Sequence, residues 1–397
     1  MSASTFAASV TVEALDEDPY PIYARLRQEP PAHVPAVNVW MLTRWAHVEH
    51  AGAHPELFTA ETPSSPVELT FGSPTVLTCD GDVHRELRAS IDPKFRPRVV
   101  DAYVDELIEP IADELLDRFE CHGSAELMAE YLEPISVLGL GRVLGLGDVD
   151  GDTLRRWFAG LAQGATNYEC DPAKQAIGDA VATEIRERLA PLLDRLEREP
   201  DDSAISHMLH AARPPGDPRA RELVLPSLLV ILLGGMQEPG HGAGSALASL
   251  LAHPDQAAEV AADPVSLVPQ AVEEGLRLIA PIGTQLRSTS QDVEIGGARI
   301  PAGEPVALVI ASANRDERRY PDPDRFDIHR ERRQHGAFGF GRHFCSGHAF
   351  ARRQEAIALR RLFERLPDVR LDAERPPVLR GWEFRAPAHL HVRFTPR

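Results

Sequence analysis

The stretch that most constrains this chain is Phe338-Gly339-Phe340-Gly341-Arg342-His343-Phe344-Cys345-Ser346-Gly347, in which one cysteine sits in a glycine-rich turn between aromatic and basic residues. The residues that follow, His348-Ala349-Phe350-Ala351-Arg352-Arg353-Gln354-Glu355, read as a helix. A sulfur just ahead of a helix meets backbone N–H donors and the positive end of the helix dipole, and both favour the thiolate. Such a thiolate can serve as the axial donor to a haem iron, pushing electron density toward the metal. Gly339, Gly341 and Gly347 would let the backbone turn and approach a flat ring. Phe338 and Phe344 would screen the sulfur, and Arg342 and His343 are candidates to meet the ring's carboxylates. Taken singly, these features equally describe a small buried cysteine in a common kind of turn.

Together they resemble the haem-ligand signature of the cytochrome P450 family. The resemblance implies haem b (iron protoporphyrin IX) held through Cys345, the metal ligand, with Phe338 and Gly347 against the ring. It also implies a mainly α fold with a long kinked central helix over the haem and small, late β-sheets. Two rival readings of the motif are poor. A dinucleotide loop beginning at Gly339 and Gly341 has Phe344 where a third glycine is needed, and no βαβ alternation surrounds it. Zinc held by Cys345, His343 and His348 would need ligands that the chain does not offer nearby.

At 397 residues the chain exceeds the roughly 250 to 300 residues of a usual single core, which alone suggests two domains or one large one. No linker, repeat or low-complexity tract divides it, so a single domain over residues 1–397 is expected. The formal charge of −18 argues against binding to nucleic acid or to an anionic membrane surface. Cys79, Cys121, Cys170 and Cys345 show no paired spacing, so free thiols in a reducing cytoplasm are expected. Residues 1–10 lack a charged region followed by a long apolar run, and no signal or anchor is expected there.

Apolar residues recur at helical spacing through Val104, Ile108, Ile111 and Leu115, then Leu127, Tyr131, Ile135 and Leu138. Further helices are predicted over 152–164, 173–196 and 204–210, a strand over 39–43, and a hairpin over 292–306. Asp82 is placed to cap a helix on which His84 and Arg88, four apart, share a face. A solvated face is the plain reading; the resemblance implies that both grip haem propionates, together with Arg287 and His343. Glu274 and Arg277 stand at i and i+3 on one helix, and the resemblance makes them the core pair that ties this helix to the segment around Pro321–Phe326.

Arg221 to Leu251 reads as one long helix with a defect at Gly234-Gly235-Met236-Gln237-Glu238-Pro239-Gly240-His241-Gly242, because Pro239 removes an N–H and crowds the carbonyl of Gly235. The family's usual acid and threonine are missing here. Glu238 stands where the threonine would be and Gln237 where the acid would be. Glu238 is either a solvated charge or, in the reading preferred here, a catalytic group that relays protons for dioxygen reduction.

This motif, Asp202-Ser203-Ala204-Ile205-Ser206-His207 and Gly381-Trp382-Glu383-Phe384-Arg385 are similar to the bacterial guaiacol-type aryl O-demethylases of the superfamily. That implies a small aromatic substrate, dioxygen, and electrons from a separate flavin and iron-sulfur reductase docking near Arg332, Arg333, Arg342, Arg352 and Arg353. Pocket candidates at matching positions are Phe71, Leu77, Val230, Gly234, Ile282 and Phe384. Ala165 replaces a third phenylalanine, which implies room for an alkylguaiacol. Two alternatives stand beside this: hydroxylation of another aromatic or a terpenoid, and a haem-binding sensor or carrier that does not oxidise its ligand.

Overall fold

The computed structural model of the protein describes residues 3–396. Two of its helices set the position of the cysteine loop. The apolar stripe Val104, Ile108, Ile111 and Leu115 is the buried face of α2 (Val104–Asp117), which follows α1 (Gly81–Phe95). The opposite, acidic side of α2 meets the last of the long helices, which begins directly after the cysteine loop at His348 and runs to Arg365. Arg353, Arg360, Arg361 and Arg365 pair with Asp105, Glu109, Asp113 and Asp117 at 2.5–2.6 Å. Each pair is partly exposed and contributes little alone, but the row fixes the register of the two helices.

Between these lie α3 (Glu133–Leu144), α4 (Gly151–Ala165), α5 (Pro172–Arg198), α6 (Arg221–Met236), α7 (Glu238–Leu251) and α8 (Pro264–Leu278). The His348–Arg365 helix is α9. The expected defect in the central helix is a break at Gln237, whose φ of −106° ends α6. Pro239 falls in the first turn of α7, where its missing N–H costs no hydrogen bond. By length and composition Arg221–Leu251 could cross a membrane, yet 72% of its most apolar window is buried inside the protein, as befits a core helix. Small residues let neighbours close in on α7. A Cβ at Gly240 would stand 2.9 Å from the Leu132 carbonyl, and one at Gly242 would stand 2.8 Å from Glu355 Oε1.

A five-stranded sheet flanks the helices. It is built from β1 (Ala32–Val34), β2 (Val39–Leu42), β3 (Phe58–Thr59), β4 (Thr284–Thr289) and β5 (Pro305–Val309), in the order β1-β2-β5-β4-β3. Only β2 and β5 run parallel. Its strands are therefore not all late in the chain, because β1 to β3 precede the first long helix. The predicted hairpin pairs Val293–Ile295 with Ala298–Ile300 across Gly296 and Gly297, both at positive φ.

One local expectation fails. Asp80, not Asp82, precedes α1, and its side chain makes no capping bond. Its carboxylate instead accepts from the Ala60 N–H at 2.8 Å, the Thr59 hydroxyl at 2.9 Å and His343 Nε2 at 3.1 Å. Burial and these competing donors draw it toward the cysteine loop.

Candidate active site

The cysteine loop is tied down from several sides. The Cys345 N–H donates to the Phe338 carbonyl at 2.8 Å, closing the turn. Gly339 and Gly341 have φ of 76° and 61°, so both need the left-handed freedom of glycine. A Cβ on Gly341 would also lie 2.2 Å from the Gly52 carbonyl. Arg88 donates to the carbonyls of Arg342 (3.1 Å) and Phe344 (2.8 Å) and to Asp92 (2.7 Å), which in turn accepts from the Ser346 hydroxyl. Arg352 lies over the Phe338 ring at 4.1 Å. Burial pushes the Cys345 thiol above its ordinary pKa, while the Gly347 N–H, Arg88 and Arg352 act the other way. Deep as it is, Cys345 is exposed, so its side chain faces open space. Gly347 lies at φ −83°, and the only atom near a Cβ built there is Cys345 Sγ at 4.0 Å.

Above the loop, basic groups outnumber acids. The His84 and His343 rings lie with centroids 4.1 Å apart, tilted by 41°, and His84 Nε2 is buried with no hydrogen-bond partner. Burial, then the neighbouring His343 and Arg88, lower the His84 pKa to about 4, so its ring is neutral at pH 7. Arg287 is 5% exposed and donates to its neighbour's carbonyl, Leu286 O, at 2.6 Å. It forms no ion pair among the described residues, and burial lowers its pKa to about 10 against the pull of Asp80. Burial acts to raise the pKa of Asp80 itself, but its bonds from His343, Ala60 and Thr59 hold it well below the ordinary range. A buried guanidinium without a carboxylate and an orphaned imidazole nitrogen are the chemistry that a ring bearing two propionates would satisfy. With the accessible sulfur and the open side of Gly347, the residues fit haem.

Behind the loop, Arg277 grips Glu274 with two bonds of 2.8 Å and donates to the carbonyls of Asn314, Pro323 and Arg325. Asn314 Oδ1 in turn accepts from the Gly336 N–H at 2.7 Å, at the entry to the loop.

On the other face stands the helix break. Glu238 is buried and both its oxygens lack a hydrogen-bond partner. Burial raises its pKa, the His241 charge lowers it, and Glu133 raises it again. His241 lies between Glu238 and Glu133, and Glu133 is bound to Arg155 at 2.9 Å. His241 and Glu133 went unnoticed in the sequence, although His241 stands three residues from Glu238 and so shares its helical face.

Of the pocket candidates, Gly234 is exposed in the middle of a buried helix and a Cβ there would meet nothing within 4 Å. Leu77 is 45% exposed, on a loop held to α6 by the bond from Val76 N–H to Ser227 Oγ. Ile282 and Phe384 face each other in an isolated β-bridge. Phe71 and Ala165 are enclosed in the main core, and Val230 is nearly so. Phe158 is a missed neighbour. Its ring meets Phe384 edge-on at 6.1 Å and His241 at 5.9 Å, and it precedes Ala165 by seven residues on the same face of α4. Glu383, beside Phe384, accepts from the Thr284 hydroxyl at 2.7 Å, and burial pushes its pKa up to about 7.

Comparison with known proteins accords with this arrangement. A family model described as Cytochrome P450 matches residues 248–378. Cytochrome P450 107B1 of Saccharopolyspora erythraea is 33% identical over 389 residues, covering 94% of this chain and 93% of that protein. The Vitamin D(3) 25-hydroxylase of Pseudonocardia autotrophica is 34% identical, covering 89% and 88%. The crystal structure of CYP109Q5 from Chondromyces apiculatus superposes with a TM-score of 0.86 at 29% identity, covering 98% of this chain and 99% of that one. The chain belongs to the cytochrome P450 family, and is a monooxygenase whose cofactor is haem.

Proposed function

We propose that the protein O-demethylates a small methoxylated aromatic, guaiacol or a 4-alkylguaiacol, to a catechol and formaldehyde. In this reading the Cys345 sulfur would hold the haem iron. His84, Arg287 and His343 hold the propionates, Arg88 braces the loop beside them, and Phe338 and Gly347 flank the ring. Bound haem supplies the activation of dioxygen. One dioxygen, two electrons and two protons hydroxylate the methoxy carbon and yield water, and the resulting hemiacetal falls apart to the phenol and formaldehyde.

The chain's own part is positioning and proton supply. The observation that carries the aromatic substrate is the edge-to-face pair of Phe384 and Phe158 near the helix whose Gly234 side is open. Ile282 meets Phe384 through its bridge, Val230 and Phe71 belong to the same apolar core as Phe158, and Leu77 is proposed to close the pocket from its exposed loop. Ala165, on the Phe158 face of α4, stands where the guaiacol-type relatives of the resemblance carry a phenylalanine, and in this reading the smaller side chain suits a 4-alkyl substituent. Glu238 holds the proton beside the break. Electrons come from a separate flavin and iron-sulfur reductase. Exposed Arg332 is its first contact, since Arg342 is engaged with Asp80, Arg352 and Arg353 with Glu273 and Asp105, and Arg333 with Glu331.

Formaldehyde release from guaiacol and 4-propylguaiacol with a matched reductase tests the proposal, with spin-state titrations expected to show tighter binding of the propyl compound. Tighter binding of guaiacol itself would refute the enlarged pocket. A second reading, hydroxylation of another aromatic or a terpenoid, draws support from relatives named as hydroxylases. It is favoured if a hydroxylated product forms without formaldehyde. A reduced carbon-monoxide spectrum lacking the red-shifted thiolate band would remove Cys345 as ligand.

A further inference from the structure

Three separate helices converge on one imidazole beside the break. Glu238 opens α7, Glu133 opens α3, Arg155 lies on α4, and His241 stands between the two acids. Its Nδ1 is 3.7 Å from Glu238 Oε2 and its Nε2 is 3.6 Å from Glu133 Oε1. Glu133 Oε2 accepts from Arg155 at 2.9 Å. Exposure is 7% for the Glu238 side chain, level at 13% for His241 and 12% for Glu133, and 31% for Arg155. The row therefore begins at the buried acid and ends at solvent. The apolar ring of Phe158 also meets His241 edge-on. Neither contact of the imidazole is tight, and Nδ1 has no hydrogen-bond partner, so the ring is not locked in place.

We infer that His241 is a proton shuttle that recharges Glu238 from the surface through Glu133. The inference rests on the reading of Glu238 as the proton-bearing group at the break. The imidazolium gives its Nδ1 proton to the Glu238 carboxylate and becomes neutral. A half-turn of the ring then presents the bare nitrogen to Glu133, which passes on a proton taken from solvent at the Arg155 rim and returns to its ionised form. Each cycle moves one proton inward and restores every group.

The charge states suit this task. Burial works to lower the His241 pKa, but the Glu238 charge and the bond to Glu133 more than reverse it, raising it to about 9. Burial would raise Glu133, yet His241 and then Arg155 hold it below the ordinary carboxylate range. At neutral pH the ring thus carries the proton between an acid that resists ionisation and one that favours it.

The test uses the haem-loaded protein supplied with electrons by a ferredoxin and its reductase. His241→Gln and Glu133→Gln are expected to raise the hydrogen peroxide released per NADH about threefold or more, as Glu238→Gln does, in keeping with the loss of a positioned proton donor. If Glu238→Gln raises it and the other two do not, the shuttle is wrong and the role of Glu238 stands. If none does, both fall. A readout apart from turnover is the imidazole nitrogen titration of the carbon-monoxide-bound ferrous protein. His241 is expected to be protonated at pH 7 with its midpoint lowered by Glu133→Gln; a neutral ring, or a midpoint indifferent to Glu133, overturns the inference.

Discussion

Around Cys345 the backbone carbonyls, glycine turns and side chains are tied to one another, whereas at the break between α6 and α7 both oxygens of Glu238 and Nδ1 of His241 have no hydrogen-bond partner. The first region holds a shape. The second leaves a carboxylate buried with neither oxygen bonded, which costs stability, as the orphaned His84 Nε2 does above the loop. Rigidity thus belongs to the side of the sulfur ligand, and unsatisfied charge to the helix break.

The largest effect expected from testing this contrast comes from the foundation of the loop. Arg277 is 3% exposed and holds Glu274 as well as three carbonyls, one of them on Asn314, which anchors the loop entry. Arg277→Ala leaves the buried Glu274 with only Arg330 and the Asp327 N–H and takes the donor from three carbonyls, and is expected to cost about 3 kcal/mol in urea unfolding, with haem lost on gel filtration. A loss below about 1 kcal/mol, within the range of an exposed pair, would show that the loop side is less rigid than its bonds imply.

Glycines sharpen the comparison at intermediate size. Gly341→Ala sets a side chain at φ 61° and 2.2 Å from the Gly52 carbonyl, and is expected to destabilise by about 1–3 kcal/mol. Gly234→Ala, where a Cβ meets nothing within 4 Å, is expected instead to stabilise by about 0.5 kcal/mol, less than a mid-helix change because it lies in the last turn of α6, while weakening the spin-state response to aromatic ligands. Equal signs for the two in thermal unfolding would erase the distinction between a cradle and an open pocket wall.

What could be read in the chain follows the same division. Helices such as 204–210 and the loop about Cys345 were legible because their signals are local: apolar spacing, a proline or serine at the start, glycines around one sulfur. The break was legible from Pro239, though its place at Gln237 was not, because a proline fits the first turn of a new helix as well as it breaks an old one. The role of Asp80 was hidden, since Asp82 looks equally good as a cap and only the approach of residues 59, 60 and 343 decides between them. Glu133 lies more than a hundred residues from His241, and no spacing rule joins them.

The smallest expected effect separates the two regions by pH. On the distal side, His241 has a folded pKa raised from 6.5 to about 9, so its stabilising contribution is complete below 6.5 and is lost as pH rises through about 9. Glu238, raised by burial, acts in the same direction from 4.5 upward. On the loop side the signs reverse. Asp80, held low, contributes above 3.8 and loses that contribution as pH falls, and neutral His84, lowered by burial to about 4, resists charging as pH falls below 6.5. Urea midpoints should therefore fall at both ends of a pH 3–9 series. Asp80→Asn is expected to flatten the acid arm alone, whereas His241→Gln is expected to flatten the alkaline arm most and, by releasing Glu133 toward its ordinary pKa, the acid arm slightly; an Asp80→Asn variant that also flattens the alkaline arm would mean that the two faces titrate as one network.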